Sequence, residues 1–131
     1  MSDLGGWKVL IVESREGELE DLTDMLTLCG VETNVVAYHQ GAMLPGIMPT
    51  LALVDLRLPL DNCFDLLEKL RKAANTPVVA VTEHYLPRVA SEAIRAGFDA
   101  CLARPGDPSS FIRELERIVS VSSSFNPIAS D

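Results

Sequence analysis

Leu51-Ala52-Leu53-Val54-Asp55-Leu56-Arg57-Leu58-Pro59 decides the fold of this chain. Four apolar residues run into Asp55 and a proline follows four positions later, the pattern of a strand buried on both faces and stopped soon after its end. Such a strand belongs to a parallel sheet with helices on either side, and ligands bind such sheets at the carboxyl ends of the strands, where the loops diverge. Asp55 is therefore a site candidate. An acid in that place also serves as a helix cap or a plain loop residue, and the stretch alone leaves both roles open.

Outward from the centre the same logic repeats. Lys8-Val9-Leu10-Ile11-Val12 runs into Glu13-Ser14, and Val78-Val79-Ala80-Val81 into Thr82-Glu83. Val31 to Ala37 is β-branched, and Ala100 to Ala103 is short and apolar before Arg104-Pro105. Helical periods fill the gaps. Leu19, Leu22, Leu26 and Cys29 predict a first helix with Glu16, Glu18, Glu20 and Asp21 in its early turns, Ser14 near its N-cap and Gly30 as its stop. Gly41, Pro45, Gly46 and Pro49 leave room only for a short or irregular second helix between Tyr38 and Thr50. Asn62 is expected to cap a third helix with Phe64, Leu66, Leu67, Leu70 and Ala73 as its stripe. Pro87 opens a fourth with Val89, Ala90, Ala93 and Ile94, closed by Gly97. Asp107-Pro108 opens a fifth that carries Phe111, Ile112, Leu115, Ile118 and Val119.

Five strands alternating with five helices predict an α/β protein, a three-layer doubly wound sandwich around a five-stranded parallel sheet. Periodicity does not set the strand order; 2-1-3-4-5 is the commonest small solution. The expected domain covers residues 1–119, and the serine-rich 120–131 reads as a flexible tail or the start of a linker.

Charge and cysteines narrow the function classes. With 19 acids against 11 bases in 131 residues, the formal net charge of −8 argues against nucleic-acid binding by this domain. Cys29, Cys63 and Cys101 have no C-x-x-C spacing, which suggests neither a disulfide framework nor a zinc site and points to a reducing, cytoplasmic setting. No leader and no membrane span are expected. The phosphate-binding glycine motifs and the nucleophile elbow are missing, which disfavours a cofactor-binding enzyme.

The strand ends Val12-Glu13-Ser14, Val54-Asp55-Leu56-Arg57-Leu58-Pro59, Val81-Thr82 and Leu102-Ala103-Arg104-Pro105 together resemble the receiver domain of two-component response regulators, a flavodoxin- or CheY-like fold. The resemblance spans roughly Lys8 to Val119. It implies that Asp55 is the phosphoacceptor and that Glu13, Ser14, Asp55 and Arg57 form the acid and metal pocket. It also implies that Thr82, Arg104 and Pro105 attend the phosphoryl group, with Cys101 at the switch position. Three departures stand out: Ser14 replaces an acid that ligates Mg2+, Arg104 replaces a lysine, and Cys101 replaces an aromatic ring. Exchanging a carboxylate for a hydroxyl removes charge that offsets dehydration of the ion, so Mg2+ is expected to bind weakly.

The implied partner is a sensor histidine kinase or phosphotransfer protein, with no membrane contact and no enzymatic activity beyond self-phosphorylation and dephosphorylation at Asp55. Arg88, Arg95, Arg113 and Arg117 on the fourth and fifth helices form either a solvated face or a partner surface, such as that of a homodimer. Two roles stay open for Ser14, helix cap or site residue, and two for Arg104, phosphoryl ligand or fixed partner of Asp55 or Glu13. The alternative to a phosphorylated receiver is a phosphorylation-independent adaptor or dimerisation module on the same fold.

Overall fold

The computed structural model describes residues 4–37, 49–57, 60–73, 76–104 and 106–124. The elements run β1 (Lys8–Glu13), α1 (Glu20–Leu28), β2 (Glu32–Ala37), β3 (Leu51–Asp55), α2 (Leu60–Ala73), β4 (Val78–Thr82), α3 (Pro87–Ala96), β5 (Ala100–Ala103) and α4 (Pro108–Ser124). All pairings are parallel, in the order β2-β1-β3-β4-β5. The short second helix expected between Tyr38 and Thr50 falls almost wholly outside the described residues, as does Pro105.

Strand alternation splits the core in two, because successive side chains point to opposite faces. Val9 and Ile11, Leu51 and Leu53, and Val79 and Val81 meet Leu22 and Leu26 of α1 and Phe111, Ile112, Leu115 and Ile118 of α4. The intervening Leu10 and Val12, Ala52 and Val54, and Val78 and Ala80 meet Cys63, Leu66, Leu67 and Leu70 of α2 and Ala93 of α3. Both faces of the three central strands are thereby dry, which is why their sequences read as unbroken apolar runs. β2 pairs only with β1 and is partly exposed along its length.

Several helix details depart from expectation. α1 begins at Glu20, so Ser14 is not its cap; Leu19 holds the N-cap position without a side-chain hydrogen bond. Glu16 and Glu18 consequently precede the helix rather than lying in it. Asn62 lies inside α2, which starts at Leu60. Leu66, Leu67 and Leu70 are buried as expected, but at the start of the stripe Cys63 is buried in place of Phe64, which is 46% exposed. Ile94 likewise points outward, 50% exposed, and leaves Ala93 as the buried residue of α3.

Gly97 ends α3 at φ 118°, a left-handed conformation that side chains resist, and its N–H with that of Phe98 takes up the last carbonyls of the helix. Asp107 does cap α4 as expected: its carboxylate accepts the Ser109 N–H at 3.2 Å and the Ser110 hydroxyl at 2.7 Å. α4 then continues past Val119 to Ser124, so the first part of the expected tail is helical.

At the amino end of the sheet one cation ties three elements together. Arg71 of α2 donates to the carbonyls of Thr76 and Gly97, both at 2.9 Å, and to Asp99 at 3.0 Å. Asp99 in turn accepts the Val78 N–H at 2.7 Å. The carboxyl end is left to the candidate site.

Candidate functional site

Parallel pairing brings the carboxyl ends of β1, β3, β4 and β5 to one edge, since Val12 stands opposite Val54, Asp55 opposite Val81 and Thr82 opposite Ala103. Glu13, Asp55, Thr82 and Arg104 therefore come to the same edge, as the strand patterns lead one to expect. Backbone bonds from Leu56 to Val81 and from Arg104 to Thr82 carry the ladder to the rim.

Asp55 is 4% exposed and its two oxygens have different partners. Oδ2 accepts the Ser14 hydroxyl at 2.8 Å and the Ser14 N–H at 3.3 Å. Oδ1 accepts the Arg57 N–H at 2.9 Å. Three donors on one buried carboxylate stabilise its charge and set its plane. Ser14 thus faces Asp55 and not the helix that follows it.

Glu13 is 2% exposed and turned the other way. Its oxygens accept the N–H groups of Gly17 at 3.1 Å and Leu19 at 2.7 Å, closing the loop that leads into α1. Gly17 reaches this geometry at φ 85°, which a side chain would strain. The first acid of the expected pocket is therefore committed to the loop.

The mouth of the site is an ion-pair chain. Glu18 contacts Arg57 and pairs with Arg15 at 3.4 Å; Arg57 also contacts Glu83; and Glu83 receives Arg104 Nη1 at 2.8 Å. The hydrogen bond from Arg57, backed by the charges of both arginines, holds the Glu83 carboxyl below its ordinary pKa. Arg104 consequently pairs with neither Asp55 nor Glu13, the two partners considered for it from the sequence. Glu83 was legible only as a polar loop residue after Thr82; its sign, opposite to that of Arg57 and Arg104, was the one available signal.

Thr82 is turned into its own loop, where its hydroxyl oxygen accepts the His84 N–H at 3.2 Å. Cys101 is buried on the α2 and α3 side of the sheet, and burial raises its thiol pKa. Cys63 is 3% exposed; burial first, and the charge of Asp55 second, push its thiol from 9.0 to about 11. The sequence pattern placed Phe64, not Cys63, on the buried face of α2, and so carried no signal of its closeness to Asp55.

A Mg2+ site needs hard oxygens with little competing use, and one or two carboxylates at least. Here Glu13 is spent on the α1 loop, Ser14 donates its proton toward Asp55, and no group of three or more metal-ligating side chains occurs among the described residues. As they stand, these residues do not fit the ion. None of the described helices is long and apolar enough to cross a membrane.

Comparison with known proteins agrees with the fold. Residues 9–116 match the family model described as the response regulator receiver domain. A CheY-like receiver domain protein from Methanospirillum hungatei JF-1 superposes with a TM-score of 0.67 at 21% identity, covering 92% of this chain and 98% of that one. The non-phosphorylated HemR receiver domain from Leptospira biflexa gives 0.59 at 25% identity, covering 86% and 94%. Full-length FixJ from B. japonicum gives 0.68 at 16% identity, covering 96% of this chain but 62% of FixJ. A search of curated proteins by sequence found no match. With the family model spanning most of the chain and the sheet order to match, the chain belongs to the response regulator receiver domains of two-component signalling.

Proposed function

We propose that this receiver domain takes a phosphoryl group on Asp55 from a sensor histidine kinase or phosphotransfer protein. The observation that carries this is the Asp55 carboxylate itself, buried at the end of the central strand and oriented by Ser14 and the Arg57 N–H, with Arg57 and Arg104 at the rim. Phosphoryl transfer asks for a placed nucleophile and positive charge around the equatorial oxygens. An Asp55 oxygen attacks phosphorus, the bond to the leaving group breaks with its electron pair, and an acyl phosphate forms. Arginine suits the role of cation, since its fork can hold two phosphoryl oxygens at once. Thr82 would have to leave His84 to reach the phosphoryl group, and Cys101 replaces the ring that normally follows such a movement.

Weak Mg2+ binding is part of the same proposal, on the grounds of the donor set described above. The cytoplasmic setting follows from the partner class. The exposed Tyr85, Leu86 and Ile94 beside Arg88 and Arg95 support a homodimer through α3 and α4. A second reading, a phosphorylation-independent adaptor, is favoured by one observation: Glu83 already engages the two arginines that a phosphoryl group would use.

The decisive experiment is intact-mass measurement after incubation with acetyl phosphate and Mg2+. A single phosphoryl mass gain that disappears in Asp55→Asn is expected. Unchanged mass in the wild type would leave the adaptor.

A further inference from the structure

The ion-pair chain at the site mouth has a consequence for the order of events at Asp55. Arg57 and Arg104 come from loops on either side of the β4 end, and Glu83, the residue after Thr82, contacts both. Among the described residues, Glu83 is the acid that joins these two guanidinium groups. Arg57 is further held by Glu18, whereas the ion pair of Arg104 is with Glu83.

We propose that Glu83 is a guard on the phosphoryl site, a carboxylate that occupies Arg57 and Arg104 and must be displaced before those arginines can hold a phosphoryl group on Asp55. The inference rests on the reading of Asp55 as phosphoacceptor and goes beyond it. Carboxylate and phosphoryl oxygens compete for the same forked N–H donors. A phosphoryl dianion placed between the arginines would also lie against the Glu83 charge, and like charges at such range repel. The lowered pKa of Glu83 agrees with a carboxylate that stays ionised while so held.

Glu83 lies at the surface, its side chain 41% exposed, so it is free to swing into solvent. It is therefore a positioning residue acting through Arg57 and Arg104, and it adjusts how readily a phosphodonor is gripped rather than the chemistry of transfer. For acetyl phosphate the balance is complete without a proton: an Asp55 oxygen bonds to phosphorus, the phosphorus bond to acetate breaks, and acetate leaves with the electron pair.

The test compares the full chain with its Glu83→Gln and Glu83→Ala variants, each incubated with acetyl phosphate and Mg2+ over a range of donor concentrations. Phosphorylation rate is read by intact mass. Exposed ion pairs are individually weak, so both variants should reach half-maximal rate at a donor concentration on the order of three- to tenfold lower, with the maximal rate little changed. Raising the salt to about 1 M should erase most of that advantage, because the Debye length falls to about 3 Å. A Glu83→Asp variant should retain the wild-type behaviour in part.

Equal half-saturation in wild type and variants overturns the guard while leaving Asp55 as the acceptor. So does a slower variant, or an advantage that salt leaves untouched. If neither wild type nor variants gain mass, the acceptor assignment fails and the guard falls with it.

Discussion

Ser14→Asp places an acid where the receiver-domain resemblance implies one, and the structure sets what it should do. Ser14 donates its hydroxyl to Asp55 Oδ2 at 2.8 Å; aspartate at this position has no proton to give. Loss of a hydrogen bond to a charged group costs about 1.5–3 kcal/mol. Two carboxylates then face each other, and at about 4 Å with an effective dielectric constant of about 20 their repulsion adds up to roughly 4 kcal/mol. Part of that is relieved by proton uptake, since like charges raise the pKa of one member of the pair. A raised folded-state pKa means that stability is held below the unfolded value, about 3.9 for aspartate, and lost as pH rises through the folded one. The deficit of the variant should thus be largest at neutral pH and shrink as pH falls toward about 4.

Mg2+ should reverse the deficit. The two carboxylates now make the pocket that the native donor set does not, so the variant gains affinity, and ion at about 100 times its Kd restores about 2.7 kcal/mol. Helix capping does not confuse the result, because α1 starts at Glu20 and Ser14 bonds to Asp55 instead of capping it. The assay is urea unfolding of wild type and variant at neutral and acid pH, with and without millimolar Mg2+. A variant as stable as wild type without the ion, and no better at binding it, would refute the arrangement of Ser14 against Asp55.

Arg71→Ala removes the tie among α2, the β4 start and the loop after α3, and should cost about 1–3 kcal/mol by urea unfolding without altering the proposed phosphorylation at Asp55, which lies at the far edge of the sheet. Leu115→Ala, in the core between α4 and the sheet, should cost about 2–5 kcal/mol by the same measurement. The Cys63 thiol, raised to about 11, should resist alkylation at pH 8 in the folded protein; the stability tied to its protonated form is complete below the unfolded pKa of about 9 and is lost as pH rises through about 11. Asp55→Asn removes one of the two causes of that shift and should bring the thiol pKa part of the way down, as followed by the pH dependence of its alkylation.

Sequence by itself determined the layers and the edge at which the site lies. Unbroken apolar runs at Val9–Val12, Leu51–Val54 and Val78–Val81 require cover on both faces, and parallel pairing then sends every strand's polar end the same way. Glu13, Asp55, Thr82 and Arg104 were therefore legible as neighbours in kind, and their order matched the receiver family. Tertiary structure alone decided whom the polar groups of the site meet. Ser14 turned to Asp55 and left α1 uncapped by a side chain, while Glu13 took over the loop that leads into that helix. Arg104 found Glu83 instead of Asp55. The physical reason is one of scale: burial follows a local period of two or 3.6 residues that a chain writes in its own sequence, whereas a charged side chain chooses among several opposite charges by distances of an ångström or two that only the packed strands and loops establish.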